Sequence, residues 1–365
     1  MGFKCGIVGL PNVGKSTLFN ALTSATIQAE NYPFCTIEPN TGMVEVPDPR
    51  LHTIAKITNS AKTIPTLMEF VDIAGLVSGA SKGEGLGNQF LGHIRSVQAI
   101  AHVTRCFEDS NITHVDGKVD PISDITTIET ELALADLQTL EKATQKLQKL
   151  VKAGSKEAKK EQTIIESIIR HLNDGHHLSQ IQEEDTDIKE ICKKYQLLTS
   201  KPCFYVANIN DHDNIEKNTK LQSLIAFAKD RNSPVVIINA SIEAEISSLD
   251  KEEQSEFIKD LGLEESGLNQ LIRIGHSLLE LETFYTAGPK EARAWTIKKN
   301  STAPQAAGVI HTDFQSHFIR AEVISSEDYI KHNGEAGAKK AGTWKLEGKE
   351  YIVKDGDILT IRANA

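Results

Sequence analysis

The sequence predicts an α/β protein whose doubly wound, mostly parallel sheet is interrupted by an antiparallel helical hairpin and followed by a small α+β domain. Three observations indicate this organisation. Short apolar strands alternate with helical segments in two separate parts of the chain. A long segment with apolar residues three and four apart lies between them, and short strands with turn signals come last. We therefore expect a sheet domain over residues 1–125 and 200–280, a hairpin over 126–199 and a C-terminal domain over 281–365.

Residues 9–16, GLPNVGKS, form a complete G-x-x-x-x-G-K-[ST] phosphate loop between an apolar strand and the first turns of a helix. Gly9 and Gly14 allow the backbone to curl around an anion without an obstructing Cβ atom. The backbone N–H groups that follow point inward at a helix N-terminus, and Lys15 supplies a mobile charge for the outer phosphates. The residues expected to bind the phosphates are Asn12, Val13, Gly14, Lys15, Ser16 and Thr17.

Two elements after the phosphate loop predict a magnesium-dependent nucleotide switch. Asp72 and Gly75 form a D-x-x-G motif at the end of an apolar strand, where Asp72 would hold Mg²⁺ through water and the Gly75 N–H would sense a γ-phosphate. Ser16 offers its hydroxyl to the metal. Thr36, in a proline-flanked loop between the two motifs, would offer a second hydroxyl when a triphosphate is bound. This order of motifs favours a nucleotide switch over a small-molecule kinase, for which the sequence shows no acceptor site.

A base-reading element is expected after a later strand of the sheet. Guanine-binding proteins use Asn-Lys-x-Asp there, and the Asp carboxylate pairs with N1 and N2 of guanine. This chain has Asn208 and Asp211 at the matching positions but Ile209 where the lysine belongs. The base pocket is expected to comprise Asn208, Ile209 and Asp211, together with Ala240 and Ser241 from a loop that would close over the base. Turn chemistry at the end of a strand is the alternative interpretation of Asn208 and Asp211.

The residue after the D-x-x-G motif is Leu76, where many switch GTPases have a glutamine that orients the attacking water. A leucine cannot orient water, so hydrolysis must be slow, must use another group or must wait for a partner. His114, in a polar loop after the strand over residues 99–106, is the candidate catalytic residue. A solvated loop histidine without a catalytic role is the alternative interpretation.

The predicted hairpin carries a lysine-rich surface. Its helices meet along a seam of apolar residues, and Gly154 with Ser155 ends the first helix. The seam residues are Ala133, Leu137, Leu140, Thr144, Leu147 and Val151, and then Ile165, Ile168 and Leu172. The lysines on the opposite side or around the turn are Lys142, Lys146, Lys149, Lys152, Lys156, Lys159 and Lys160. In a chain of net charge −10 this cluster predicts a contact with nucleic acid or the ribosome, and a solvated helix face is the alternative.

The C-terminal domain is predicted from short strands that follow a helix near residues 268–281. The strands are expected at residues 295–297, 319–324, 350–353 and 358–362. The sequence Asp355-Gly356-Asp357 marks a turn before the last of them. Short strands mixed with helical segments indicate a small α+β domain.

Composition and cysteine usage predict a globular cytoplasmic protein. The 365 residues are 39% hydrophobic and 25% charged, and no apolar run approaches the roughly 20 residues of a membrane span. The five cysteines are scattered without zinc spacing, and no signal peptide precedes the first strand, which indicates a reducing compartment. The net charge argues against nucleic-acid binding over the whole surface. We expect a monomer that has no membrane contact and does not bind DNA.

The sequence resembles the YchF family of Obg-like ATPases. The stretches that carry this resemblance are residues 9–17, 31–40, 72–75 with 83–87, and RCFED at 105–109. The resemblance covers essentially the whole chain, including the hairpin and a C-terminal domain similar to TGS domains of the ubiquitin-like β-grasp type. Members of the family also have a hydrophobic residue at the position of Leu76. The sequence departs from the family at Asp211, where bacterial members usually carry Glu.

This resemblance implies a P-loop ATPase that uses Mg²⁺, prefers ATP to GTP and contacts the ribosome through its lysine-rich hairpin and TGS domain. Asp211 is the residue type of guanine-binding proteins, whereas the missing lysine supports ATP. A GTPase of the same fold is therefore one alternative. The other is a scaffold that nucleotide stabilises while the hairpin and the C-terminal domain bind RNA or the ribosome.

Overall fold

A computed structural model describes residues 3–24, 40–74, 85–114, 117–180, 186–211 and 214–364. The chain divides into two compact units. The first comprises residues 1–44 and 69–271, and the second comprises residues 45–68 and 272–365. The second unit therefore includes an internal segment that the sequence analysis placed in the sheet domain.

The strands and helices of the described residues have the following bounds. The strands are β1 (Lys4–Val8), β2 (Thr41–Glu45), β3 (Thr63–Ile64), β4 (Leu67–Asp72), β5 (Ala99–Arg105), β6 (Cys203–Asn208), β7 (Val235–Ile238), β8 (Leu281–Ala287), β9 (Ala292–Lys298), β10 (Phe318–Ser325), β11 (Lys345–Glu347) and β12 (Asp357–Ala363). The helices are α1 (Lys15–Ser24), α2 (Pro49–Thr58), α3 (Gly85–Ser96), α4 (Pro121–Lys152), α5 (Lys156–Asn173), α6 (Thr186–Tyr195), α7 (Thr219–Asp230), α8 (Ala240–Ser248), α9 (Lys251–Asp260), α10 (Gly267–Leu278), α11 (Ala303–Ile310), α12 (Thr312–Ser316), α13 (Ser326–Lys331) and α14 (Glu335–Ala341). Within these ranges, no helix combines the length and apolar character needed to cross a bilayer.

The first unit is built on a sheet with the strand order β2-β4-β1-β5-β6-β7. Neighbours from β4 to β7 run parallel, as the alternation of strands and helices predicts. β5 and β6 are buried along their whole length, which explains why apolar residues follow one another in their sequences. Because parallel strands end at the same edge, the loops after β1, β4, β5, β6 and β7 gather there. This edge contains the residues from which the sequence predicts a nucleotide site.

The segment between β5 and β6 contains the predicted helical hairpin. α4 begins after Asp120, whose carboxylate accepts hydrogen bonds from the first backbone N–H groups, and Pro121 occupies the first helical position. The turn to α5 passes through Gly154, whose φ of +90° lies in the left-handed region that glycine tolerates. Ser155 then caps α5 by accepting a hydrogen bond from the Ala158 N–H. These local signals place the turn where the sequence predicts it.

The predicted seam forms the core of the hairpin. Leu140, Leu147, Ile165 and Ile168 are buried in one hydrophobic cluster between α4 and α5. α6, which the sequence analysis did not predict, packs on the same cluster through one apolar face. The predicted lysines point away from this core, and all of them are exposed: Lys142, Lys146, Lys149, Lys152, Lys156, Lys159 and Lys160.

Asp136 of α4 fixes the point where the insert returns to the sheet. Its buried carboxylate accepts hydrogen bonds from the backbone N–H of Leu198 (2.8 Å) and from the N–H and hydroxyl of Thr199 (2.9 and 2.7 Å). Burial raises the pKa of Asp136, and these hydrogen bonds oppose the rise. The carboxylate therefore joins the middle of α4 to the residues just before β6.

We expect Asp136→Ala to lower the free energy of unfolding of the first unit by about 3 kcal/mol. The substitution leaves two buried backbone N–H groups without their acceptor, and each such loss costs about 1–3 kcal/mol. Thermal unfolding of the full chain measures the change. Asp174→Ala, at the exposed end of α5, is the matched control and should leave the transition unchanged. Equal stability of the Asp136 variant and the wild type would contradict this role.

The second unit contains a mixed sheet with the strand order β11-β10-β12-β8-β9-β3. At its centre β8 and β12 are parallel, and the antiparallel partners β9 and β10 flank them. α11 covers one face and buries Ala303, Ala306 and Ala307 against the apolar side chains of these strands. The parallel central pair with a helix across it is the expected β-grasp arrangement.

One predicted strand of this domain is wrong. Residues 350–353 form an isolated bridge between Thr302 and Ile352 instead of a strand. The backbone turns there, because the N–H of Tyr351 donates to the carbonyl of Gly348. The Tyr351 hydroxyl also donates to Asp357 (2.7 Å). The sheet instead uses β8 and β11, which the sequence analysis did not predict.

Residues 45–68 join the second unit through one strand pairing, one polar cluster and the buried apolar face of α2. β3 pairs in parallel with β9. Asp48 caps α2 and pairs with Arg50 (2.9 Å), and Arg50 also pairs with Asp355 (2.7 Å). The Tyr285 hydroxyl donates to Asp48 as well. Burial alone would raise the pKa of Asp48, but the hydrogen bonds from Arg50 and Tyr285 outweigh it and lower this pKa. These contacts explain why residues 45–68 belong to the second unit, although the sequence analysis placed them in the sheet domain over residues 1–125.

Candidate nucleotide-binding site

The phosphate loop connects β1 to α1, as the sequence predicts. Asn12 and Gly14 have φ angles of 65° and 93°, in the left-handed region that asparagine and glycine adopt most readily. A Cβ atom on Gly9 would lie 2.7 Å from the carbonyl oxygen of Val103, and one on Gly14 would overlap Nδ2 of Asn208. Both glycines are therefore required by close neighbours as well as by the shape of the loop.

Lys15 and Asp72, from two separate motifs, lie together. The Nζ of Lys15 forms an ion pair with Oδ1 of Asp72, and their side chains are 11% and 20% exposed. Ser16 and Thr17 follow in the first turn of α1, where both residues are exposed. The ends of neighbouring strands thus supply three groups: a cation for the phosphates, a hydroxyl suited to ligating a metal ion and a carboxylate suited to supporting that ion. The predicted residues Thr36, Gly75 and Leu76 lie outside the described residues.

Asn208 links the phosphate loop to the start of α8. Its Nδ2 donates to the carbonyl of Val13 (3.0 Å), and its Oδ1 accepts from the N–H of Ala240 (3.0 Å). The side chain is buried, and the backbone N–H of Ile209 donates to the carbonyl of Ile238 at the end of β7. The predicted base-pocket residues Asn208, Ile209 and Ala240 are therefore brought together with the phosphate loop.

Asp211 is the exposed end of the predicted base-reading motif, and it contacts Asn239. Asn239 caps α8, because its Oδ1 accepts hydrogen bonds from the N–H groups of Ser241 (3.0 Å) and Ile242 (3.2 Å). Its Nδ2 donates to Oδ1 of Asp211. The sequence places Asn239 with Ala240 and Ser241 in the loop that would close over the base, but it does not predict the contact of Asn239 with Asp211. An asparagine just before a helical segment is a capping signal, and that signal identifies its position but not its contact with Asp211.

Arg105 shapes the loop after β5, and its role was also missed. The residue is buried, and its guanidinium donates to the carbonyls of Phe107 (3.0 Å), Asp109 (3.1 Å) and Ile112 (3.0 Å). It also lies over the ring of Phe107, 4.7 Å from the centroid. An arginine that ends an otherwise apolar strand is the sequence signal for such a contact, because a buried charge needs partners.

His114 lies at the end of this loop and is neither solvated nor exposed. Its Nε2 is 3.2 Å from Oδ2 of Asp124, in the first turn of α4, and both side chains are buried. The carbonyl of the preceding residue, Thr113, accepts a hydrogen bond from Nδ2 of Asn12 in the phosphate loop (3.1 Å). The alternative interpretation of a solvated histidine is therefore wrong. His114 is connected to the phosphate loop on one side and to the hairpin helix on the other.

The described residues do not form a metal site by themselves. Within the ranges that the structure covers, no group of three or more His, Cys, Asp and Glu side chains could hold a metal ion. The donor set is an exposed hydroxyl at Ser16 and a carboxylate at Asp72. Oxygen ligands in small number suit Mg²⁺, which keeps several waters and takes the remaining ligands from phosphate oxygens. The residues present therefore fit a magnesium ion that arrives with a nucleotide.

Family models match both ends of the chain. Residues 4–136 match the family described as "50S ribosome-binding GTPase". Residues 281–364 match the family YchF-GTPase_C, described as "Protein of unknown function (DUF933)".

Full-length relatives are also found. The chain is 58% identical to a Haemophilus influenzae protein and 50% identical to a Bacillus subtilis protein, each named "Ribosome-binding ATPase YchF", with 100% of both sequences covered in each case. Among solved structures, the Schizosaccharomyces pombe YchF GTPase matches with a TM-score of 0.88 at 37% identity, over 99% of this chain and 98% of that one. This chain therefore matches these proteins in both sequence and fold over essentially its whole length.

Proposed function

The chain belongs to the YchF family, and we propose that it is a ribosome-binding ATPase that works as a magnesium-dependent, slowly hydrolysing switch. The observation that carries the proposal is that the likeness to relatives named ribosome-binding ATPases extends over the phosphate loop, the hairpin and the C-terminal domain together. The arrangement at the sheet edge supports it, because the phosphate loop, Asp72 and the loop Asn208–Asp211 lie at one end of parallel strands.

In this proposal the phosphates bind at the N-terminus of α1. The backbone N–H groups of residues 12–17 donate to phosphate oxygens, and Lys15 leaves Asp72 to neutralise the β- and γ-phosphates. Ser16 and Thr36 hold Mg²⁺ directly, and the freed Asp72 supports it through water. A bound magnesium ion neutralises phosphate charge and orients the triphosphate. The N–H of Gly75 receives the γ-phosphate and so distinguishes ATP from ADP.

The base lies between the loop after β6 and the start of α8. Ile209 packs against the face of the adenine ring. Backbone groups around Asn208 and Asn210 form hydrogen bonds with the polar edge of adenine, and Ala240 and Ser241 close the pocket. The partly exposed side chain of Ile209 supports this role, because it offers apolar surface where guanine-binding proteins carry a lysine. Asp211 completes the rim of the pocket.

Hydrolysis is proposed to use His114, because Leu76 cannot orient water. The loop that carries His114 contacts the phosphate loop through Thr113 and is held in shape by Arg105. Nε2 of His114 lies 3.2 Å from Oδ2 of Asp124, and this contact sets the orientation of the ring. Turnover of the isolated protein is expected to be slow, since the ring is buried beside α4 and must reach the attacking water.

The ribosome is proposed to contact the lysine-rich hairpin and the C-terminal β-grasp domain. The exposed lysines near the turn between α4 and α5 present positive charge on a chain whose net charge is −10, and ribosomal RNA is the matching surface. We further propose that the protein acts in the cytoplasm as a monomer.

We expect ATP to bind more tightly than GTP by roughly tenfold, which corresponds to about 1.4 kcal/mol. Ile209→Lys restores the Asn-Lys-x-Asp pattern and should move the preference toward GTP. Titration of the purified protein with labelled ATP and GTP side by side, followed by phosphate release, measures affinity and turnover. Ile215→Lys, at a nearby exposed position, is the matched control and should leave the ratio unchanged. Equal or tighter GTP binding by the wild type would overturn the ATPase proposal in favour of a GTPase.

A further inference from the structure

The contact between Asn239 and Asp211 lies at the rim of the proposed base pocket. The Oδ1 of Asn239 accepts two backbone N–H groups from the first turn of α8, at 3.0 and 3.2 Å. This fixes the orientation of the amide, because only an oxygen accepts from N–H groups. The opposite end, the Nδ2 group, therefore faces Asp211 and donates to its Oδ1. The contact is thus set by the capping geometry of α8.

A carboxylate in this position is suited to guanine. Guanine presents two donors side by side, N1–H and the N2 amino group, and a carboxylate accepts both with its two oxygens. Adenine presents an acceptor at N1 and so gains nothing from the same carboxylate. A chain with Asp211 exposed at the pocket rim would therefore be expected to favour GTP, unless that carboxylate were already engaged.

We propose that Asn239 is a specificity-determining residue that holds Asp211 away from guanine and thereby preserves the preference for ATP. This inference rests on the proposed function, since it assumes that the base lies beside residues 208–211. Guanine can form its second hydrogen bond to Asp211 only by displacing the Asn239 amide from Oδ1, so this carboxylate gives guanine one hydrogen bond fewer than a free carboxylate would. The other polar side chain of the motif, Asn208, is likewise occupied by Val13 and Ala240. Each of the two side chains that a guanine site would use, Asn208 and Asp211, thus already spends part of its hydrogen-bonding capacity within the protein.

Asn239→Ser tests the inference without removing the helix cap. Serine is about as good an N-cap residue as asparagine, so α8 keeps its start, but the amide donor to Asp211 is lost. We expect the ratio of GTP affinity to ATP affinity to rise about tenfold, the value of one hydrogen bond to a charged group. ATP affinity and the thermal unfolding temperature should change little. If the serine variant does not fold, Asn239→Thr is used in its place, because threonine also has a capping hydroxyl and also lacks the amide donor.

A matched control separates the effect of the amide from the effect of capping. Asn218 caps α7 in the same manner, accepting from the N–H of Leu221 (3.0 Å), but its Nδ2 donates to the carbonyl of Cys106. Asn218→Ser should leave the ratio of the two affinities unchanged. Asp211→Asn introduced together with Asn239→Ser should abolish the gain in GTP affinity, because a carboxylate is then no longer present to receive guanine.

The outcomes distinguish this inference from the proposed function. Wild-type protein that binds GTP as tightly as ATP would overturn the proposed ATP preference itself. Wild-type protein that prefers ATP, with an unchanged ratio in a folded Asn239→Ser variant, would overturn only the role of Asn239. A rise in the ratio that persists after Asp211→Asn would also contradict the inference, because the gain would then not act through Asp211.

Discussion

Replacing Lys15 with alanine is expected to abolish ATP turnover and to weaken ATP binding about a hundredfold. The lysine supplies the mobile positive charge of the phosphate loop, and a charge-assisted interaction of this kind is worth about 3 kcal/mol. The backbone N–H groups at the start of α1 remain, so residual binding should persist. Equilibrium titration with labelled ATP and measurement of phosphate release test the two effects separately.

The control for Lys15→Ala is another lysine that forms an ion pair, Lys4 in β1. Lys4 pairs with Glu69 across β1 and β4, as Lys15 pairs with Asp72, but it lies at the other end of β1 from the phosphate loop. Lys4→Ala should retain ATP binding and turnover. The unfolding temperature of the Lys15 variant without nucleotide should change little, because Asp72 remains 20% exposed to water. Full hydrolysis by Lys15→Ala would refute the assignment of the phosphate site.

Removing four lysines of the hairpin is expected to lower ribosome binding by more than tenfold while nucleotide affinity stays the same. The variant replaces Lys142, Lys146, Lys149 and Lys152, all exposed on α4, with glutamine. Each lysine that pairs with a phosphate releases a counterion, so the slope of log affinity against log salt should become shallower by roughly 0.7–0.9 for each lysine–phosphate pair that the variant cannot form. Co-sedimentation with ribosomes at two salt concentrations measures both quantities.

A variant with four exposed lysines replaced elsewhere in the first unit is the control for net charge. Lys217, Lys229, Lys251 and Lys259 are suitable, and ribosome binding should survive their replacement. The same assay without nucleotide, with ADP and with a non-hydrolysable ATP analogue distinguishes a switch from a scaffold. Binding that differs between these states supports the switch. Identical binding in all three would favour the scaffold, and no binding would remove the ribosome from the proposed function.

The phosphate loop and the hairpin could be predicted from the sequence because their signals are local. Gly9, Gly14 and Lys15 occur at fixed spacing within one short segment, and its flanks are clearly apolar. The hairpin seam repeats over many turns, and its turn is marked by Gly154 and a capping serine. Such patterns depend on the periods of helix and strand and on capping chemistry, which do not require knowledge of distant residues.

The missed features depend on contacts between different elements of the fold, some of them far apart in the chain. β3 is two residues long, and its place in the second sheet is decided by β9, more than two hundred residues later. The hydrogen bond between Asn239 and Asp211, and that between His114 and Asp124, depend on the mutual positions of side chains from different elements. Residue type and spacing alone do not determine hydrogen-bond partners of this kind.

Helix α4 is one continuous element of 32 residues, and its N-terminal half is held by buried apolar residues, by Glu129 paired with Arg231 and by Asp136. Asp136 fixes it to the backbone before β6, with Asp124 on one side and the lysine-rich end on the other. At a rise of 1.5 Å per residue, the arm to Asp124 is about 18 Å long and the arm to Lys152 is about 24 Å long. The lysine-rich end and the partner of His114 therefore belong to one unbroken helix, and the hairpin is a direct continuation of an element that is packed in the sheet domain.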